Sequence, residues 1–297
     1  SLDSTISETF HNSGNEVKIP TYYPYNTRNL LPSIIKTVNS KNESVTTFEI
    51  YPLDYTLSGT LTNNVAIGIY NLQNKNIITP PIEVYNQKSN PDGSNSRTVS
   101  AVFNTYKSYV PLLDTIYKLD PEGAITAFSP ATVTNTSVVK NSNYLPLLDF
   151  DKYDLVGNLI QQRKSNDIIH SYIWDYNKTY PIAEAVNADS ASIAYTSFES
   201  DGSGNWVIPS SLRDSVSVTV TGRKSYNLSN GTISKGGLTS GNSYIVSYWI
   251  KSTTPLSISG TISGYPVKGK TISGWTYFEH KITGQTSVAI SGSIYID

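Results

Sequence analysis

The segment from Tyr153 to Pro181, YDLVGNLIQQRKSNDIIHSYIWDYNKTYP, holds a dense set of chemical groups: His170, the cations Arg163 and Lys164, several carboxylates and two aromatic pairs. A histidine beside carboxylates can move protons, but catalysis also needs a nucleophile or a metal within hydrogen-bond reach. Neither stands near His170 in sequence. The other two histidines, His11 and His280, fall in the polar N-terminal stretch and in the C-terminal third. No G-x-S-x-G, H-E-x-x-H or P-loop pattern occurs. The residues therefore predict no enzyme.

The elements that carry these groups explain them differently. Asp154 and Gly157 bracket a tight turn, Asp bonding its own backbone and Gly supplying the positive φ. Ser165-Asn166-Asp167 is a second turn. Ile169–Tyr176 alternates as a strand, with Ile169, Ser171, Ile173 and Asp175 on one face. His170, Tyr172, Trp174 and Tyr176 share the other, so His170 reads as one member of an aromatic strand face in an antiparallel meander.

Composition points the same way. The chain has 297 residues, formal net charge −1, 15% charged residues and 22 tyrosines. Tyr, Thr, Val and Ile favour pleated, half-buried surfaces, which predicts an all-β protein. The charge leaves no basic footprint for nucleic acid and no cationic face for a membrane. No run reaches the roughly 20 apolar residues of a membrane span, and no signal peptide is visible. Without cysteine there is no disulfide, thiolate or Cys-type zinc site. The chain opens Ser1-Leu2-Asp3 and lacks methionine, which predicts a processed product or a piece of something longer.

Residues 1–18 are polar and aperiodic and predict a tail or docking arm. From Ile19, short apolar or alternating runs such as TTFEIYPLDYTL, VAIGIYNL, TVSAVFNTY, SVSVTVTG and SYIVSYWIKS follow between turn signals, as in sandwiches or stacked strands. TRNLLPSIIKTVNS is the best helical candidate, interrupted by Pro32. Tyr109-Val-Pro-Leu-Leu-Asp114 recurs as Tyr144-Leu-Pro-Leu-Leu-Asp149, and the segment from Leu119 to Ile125 recurs from Tyr153 to Leu159. Such duplicated strand–turn–strand units bury their faces by stacking. After about Ile193, Ser, Gly, Thr and Val dominate, which places a boundary between Asn187 and Ala194. The expected regions are 1–18, 19–192 and 193–297.

Y-D-x-x-G-N-L, followed by a polar turn and an aromatic strand, resembles the YD repeat of Rhs-type proteins. YIWDYNKTYPIAEAVNA and IAYTSFE resemble a segment of Rhs-like surface proteins of Bacteroidetes. The likeness spans about residues 105–200 and is looser over 20–105. It implies an antiparallel β-strip that can spiral into a shell or rod.

Residues 196–297 resemble a jelly-roll carbohydrate-binding module of galactose-binding-like fold, through TSFESDGSGNW, GRKSYNL, LTSGNSYIVSYWIK and GWTYFEHKITGQTSVAISGSIYID in that order. That resemblance implies a structural calcium site in which Glu199 and Asp297 meet and tie the domain's ends; the alternative is a strand-end Glu and a terminal Asp with no ion. Sugar capture needs exposed aromatic platforms with polar neighbours. The candidates are Trp206, Trp249 and Trp275. Trp249 shares the more polar face of its strand with Ile245, Ser247 and Lys251, whereas Trp206 and Trp275 resemble positions that pack at the core. Asp-Ser/Thr triplets resemble the O-glycosylation signal of exported Bacteroidetes proteins and nominate Ser4, Thr115, Ser190 and Ser215.

Together these features predict a non-enzymatic, extracellular, outer-membrane-associated surface protein. Its work would be binding or scaffolding: adhesion, or association with the secretion or gliding machinery of the outer membrane. The alternatives are a glycan-binding protein using the jelly roll and a fragment of an Rhs toxin-delivery shell.

Overall fold

The structure, a computed structural model, describes residues 3–10, 16–39, 41–119, 125–200, 202–215 and 219–297. The protein is mostly β, with antiparallel sheets throughout. No helix among the described residues is long and apolar enough to cross a membrane. The chain separates into two compact units, Ser1–Phe150 and Asp151–Asp297. The composition shift near 187–194 falls inside the second.

In the first unit, β1 (Ser4–Phe10), β2 (Glu16–Tyr22), β3 (Ile34–Val38), β4 (Ser44–Ile50), β5 (Glu83–Ser89), β6 (Arg97–Tyr106) and β7 (Leu113–Leu119) form an antiparallel meander. A small hairpin, β8 (Thr132–Val133) and β9 (Val138–Val139), follows. β10 (Tyr144–Tyr153) then pairs with β7 and carries the chain into the second unit. The expected N-terminal arm is corrected here: Ser4–Phe10 pairs residue for residue with Glu16–Tyr22, because Thr5, Ile6 and Thr9 suit an extended ladder. All seven residues of β1 are nonetheless exposed.

Two further expectations change. The helical candidate is strand and turn, since β3 begins two residues after Pro32. The helix is instead α1 (Asn64–Asn74), on the run VAIGIYNL expected as a strand. Asn63 caps it, its side chain accepting the Ala66 N–H at 2.9 Å. At the far end the Ile77 N–H reaches the Leu72 carbonyl and the Asn76 N–H reaches that of Gln73, with Asn76 left-handed at φ 56. Ala66, Ile69 and Leu72 fall on one face and are buried against Phe103, Tyr106 and Tyr144. Burial of Ile69 and Leu72 is worth about 1.5–3 kcal/mol each. Gly68 permits the approach, for a Cβ there would lie 2.4 Å from the Tyr106 carbonyl oxygen.

The sequence repeat does not give equivalent environments. Tyr109 is 75% exposed and Tyr144 only 2%. Residues 120–124 of its second part lie outside the described residues, as do 216–218 of the run SVSVTVTG and His11.

The second unit begins with β11 (Leu159–Lys164), β12 (Ile169–Asp175) and β13 (Tyr180–Val186), antiparallel neighbours. Asp154 accepts the N–H groups of Val156 and Asn158, and Gly157 sits at φ 96, as the turn reading requires. Beyond it lie β14 (Tyr226–Asn227), β15 (Ile233–Gly236), β16 (Ser243–Ile250), β17 (Val267–Ile272), β18 (Trp275–Thr283), β19 (Ser287–Ile290) and β20 (Tyr295–Ile296). They form a five-stranded sheet, β14-β20-β16-β18-β17, and a two-stranded sheet, β15-β19. Val246, Tyr248 and Ile250 of β16 join Phe278 and Ile282 of β18 in a core with Ile233, Val288 and Ile290 from the smaller sheet. The opposite face of β16 is left to Ile245, Ser247 and Trp249.

Candidate functional site

Trp249 is half-buried on that outer face. Its cross-strand partner is Tyr277, whose ring meets the indole edge-on at 5.5 Å between centroids. Beside them opens a cavity of about 390 Å³, lined also by Tyr195, Thr196, Trp206, Lys235, Tyr244, Ser247, Thr221 and Asp297. Its walls therefore alternate aromatic faces with hydroxyls.

Local bonds fix each wall. The Trp249 backbone is doubly paired with that of Asp297, N to O at 2.9 Å both ways. Lys235 Nζ donates to the carbonyls of Ala191 and Gly236 at 2.5 and 2.6 Å, tying the segment before Tyr195 to β15. Burial holds its ammonium below the ordinary lysine value. The Tyr195 N–H donates to the Gly204 carbonyl at 2.8 Å. Gly204 is left-handed at φ 56, and a Cβ there would lie 1.5 Å from the Tyr195 oxygen. Only glycine fits that approach.

The three candidate tryptophans separate. Trp249 and Trp206 both line the cavity, Trp206 also packing on the core. Trp275 is corrected: it is fully buried at the start of β18, with no face left for a ligand.

Glu199 and Asp297 converge on one feature, the loop 219–224. Glu199 Oε1 accepts the N–H groups of Arg223 and Lys224. Asp297 Oδ2 accepts those of Val220 and Thr221 at 2.8 Å, and its Oδ1 the Thr221 hydroxyl at 2.8 Å. A calcium cage needs oxygen ligands, yet these carboxylate oxygens face N–H and O–H donors. Among the described residues no group of three or more His, Asp or Glu is placed to hold a metal. The donor set present fits a clamp on backbone amides rather than a cation.

A second cavity, of about 620 Å³, lies between the β12–β13 turn and residues 199–200 and 202–205. Asp175, 7% exposed, anchors it by accepting the Tyr176 N–H and the Ser200 hydroxyl. Gly202 lies directly on that carboxylate, where a Cβ would come within 2.3 Å.

The two described histidines sit in different settings. His170 Nδ1 lies 2.9 Å from Glu184 Oε1 across β12 and β13. His280, 1% exposed, sits in a closed chain of hydrogen bonds that sequence reasoning missed. The Thr261 hydroxyl donates to the Ile258 carbonyl at 2.6 Å, so His280 Nδ1, 3.0 Å away, carries the proton and donates to Thr261. Nε2 then accepts the Tyr248 hydroxyl at 2.9 Å, whose oxygen accepts the Leu256 N–H at 2.9 Å. The signal was the alternation Phe278, His280, Ile282, which turns His280 inward with its apolar neighbours. Glu83 in the first unit was likewise missed. It is fully buried and accepts the Tyr144 hydroxyl at 2.8 Å and the Ala131 N–H at 2.9 Å.

Of the glycosylation candidates, Ser4 and Ser215 are exposed. Thr115 and Ser190 are corrected as acceptors in the folded chain. Both are half-buried, the Thr115 hydroxyl donating to Asp149 at 3.2 Å and that of Ser190 to Gln161 at 3.1 Å.

No protein-family model, curated protein or solved structure matches the chain.

Proposed function

We propose that this chain is a non-catalytic, exported cell-surface protein whose second unit binds carbohydrate in the Trp249 cavity. The observation that carries the reading is the wall composition: Trp249, Tyr277, Tyr195 and Trp206 stand with Thr196, Ser247 and Thr221 around about 390 Å³. Sugar C–H faces pack on aromatic faces, sugar hydroxyls need hydrogen-bonding partners, and this volume is in the range of small-ligand sites. The likeness to an Rhs-type strip followed by a carbohydrate-module jelly roll supports the same reading and the extracellular location. Loop 219–224 supplies N–H donors to Glu199 Oε1 and Asp297 Oδ2.

A glycan array followed by calorimetry tests this. Binding of one sugar class, weakened tenfold or more by Trp249→Ala with circular dichroism unchanged, is the expected result. An absence of binding at millimolar sugar, or full affinity in Trp249→Ala, removes the reading.

A second reading, a scaffold component of outer-membrane secretion or gliding machinery, is favoured by the β1–β2 hairpin. Its Ile6 and Phe10 are 61% and 72% exposed, more apolar surface than a strand pair needs to leave in water. Recovery of the native protein as a free secreted monomer would count against it.

A further inference from the structure

The geometry points to a second carbohydrate subsite in the 620 Å³ cavity between the β12–β13 turn and residues 199–200 and 202–205, taking neutral hydroxyls of the same glycan. The inference rests on the carbohydrate reading of the Trp249 cavity.

Charge balance selects the ligand class. The cavity is lined by Asp175 and Glu199 on one side of the ledger of charge and by Lys178 and Lys224 on the other. Two carboxylates against two ammonium groups leave no net field to gather an anion or a cation. What remains is a concave surface of donors and acceptors. Glu199 Oε2 and the Asn177 amide take no hydrogen bond from the described residues, and Tyr176 is 48% exposed. Acceptor, amide and aromatic face together suit a neutral, hydroxyl-rich ligand.

The turn that presents them is strained. Tyr176, Asn177 and Lys178 are consecutively left-handed, at φ 53, 56 and 62, and none is glycine. Such residues are individually costly and persist where surrounding bonds hold them. Here the Thr179 N–H donates to the carbonyls of both Asp175 and Tyr176, and Asn158 Nδ2 donates to that of Lys178 at 2.7 Å.

The two cavities share loop 219–224. Thr221 and Asp297 line the first, Lys224 and Glu199 the second. Three residues of chain span at most about 11 Å, which puts both sites within reach of one oligosaccharide.

The test is calorimetry on the full chain. The probes are soluble neutral glucan, mannan and galactan, their di- to hexasaccharides, and a polyuronate for comparison. The variants are Asn177→Gly and Tyr176→Gly, which remove a side chain and relieve the left-handed strain. Each should weaken hexasaccharide binding fivefold or more, leave disaccharide binding unchanged, and keep or raise the melting temperature. Trp249→Ala should weaken both ligands. Native hexasaccharide affinity in both glycine variants overturns the second subsite while leaving the first. A hexasaccharide no tighter than its disaccharide does the same. Preference for polyuronate overturns the neutral-ligand assignment. If no neutral glycan binds at all, the carbohydrate reading of the Trp249 cavity falls, and this one with it.

Discussion

Replacing Tyr248 with phenylalanine removes one oxygen from the chain of bonds around His280. Two buried groups lose their partners at once: the Leu256 N–H loses its acceptor and His280 Nε2 loses its donor. A buried polar group left unsatisfied costs about 1–3 kcal/mol, so the variant should lose about 2–4 kcal/mol. With a urea m-value of about 2 kcal/mol/M, the midpoint should fall by about 1–2 M. Tryptophan emission is the assay. Trp174, Trp206, Trp249 and Trp275 all belong to the second unit, so their signal follows that unit alone. A loss under about 0.5 kcal/mol would refute the closed chain of bonds.

The same network fixes the sign of the pH response. Burial holds His280 below the ordinary histidine value of 6.5. Its ring faces the Tyr248 and Thr261 hydroxyls and stacks on the Tyr248 ring at 5.6 Å. Below pH 6.5 the unfolded chain therefore binds the proton more readily than the folded one. Stability is full above that value and is lost as pH falls toward the folded value, by as much as about 1.4 kcal/mol at pH 5.5. In Tyr248→Phe, Nε2 is relieved of its donor, so the folded value moves up toward 6.5 and the acid loss should be smaller. A wild-type urea midpoint that stays constant from pH 7 to 5.5 would sink the argument.

Glu83 predicts the opposite response for the first unit. Burial raises its pKa above the ordinary 4.5, against the opposing bonds from Ala131 and Tyr144. Its contribution is then greatest below 4.5 and is lost as pH rises through the folded value. Calorimetry should show the first unit's transition rising on mild acidification while the tryptophan-reported one falls; parallel decline of both would contradict this. Gly68→Ala should destabilise the first unit by up to about 2 kcal/mol. Helix propensity favours alanine by about 1 kcal/mol, but crowding of the Tyr106 carbonyl costs about 1–3 kcal/mol, and a raised melting temperature would show that the helix can shift. Millimolar calcium should leave the tryptophan-reported melting temperature unchanged, and Asp297→Ala should lower stability by about 1–3 kcal/mol by leaving the Val220 and Thr221 N–H groups without their acceptor. A calcium-dependent rise of several degrees would mean that an ion displaces those donors.

What was legible in the sequence was local. Alternation assigned both faces of β16 and left Trp249 outward, and the Asp154–Gly157 turn followed from the side chains that make it. The run VAIGIYNL misled because Val65, Ile67 and Ile69 alternate like a strand while Ala66, Ile69 and Leu72 keep helical spacing. The deciding signals were the cap at Asn63 and the glycine where α1 meets β6, the second visible only once β6 is in place. Non-local pairings were out of reach for the same reason: nothing near His280 in sequence names Tyr248, 32 residues away, as its donor.

Glu199 and Asp297 are the two carboxylates that the resemblance nominates for calcium. Resemblance brought the two carboxylates together and supplied an ion to explain their meeting. The structure brings both to one loop, whose backbone amides bond Glu199 Oε1 and Asp297 Oδ2. A carboxylate holding two backbone N–H groups gains the charge-assisted bonds that an ion would otherwise provide. The clamp therefore ties down a loop whose residues line both cavities. Any change that frees loop 219–224 should disturb Thr221 in one site and Lys224 in the other, which makes that loop the place where binding at the two cavities would be coupled.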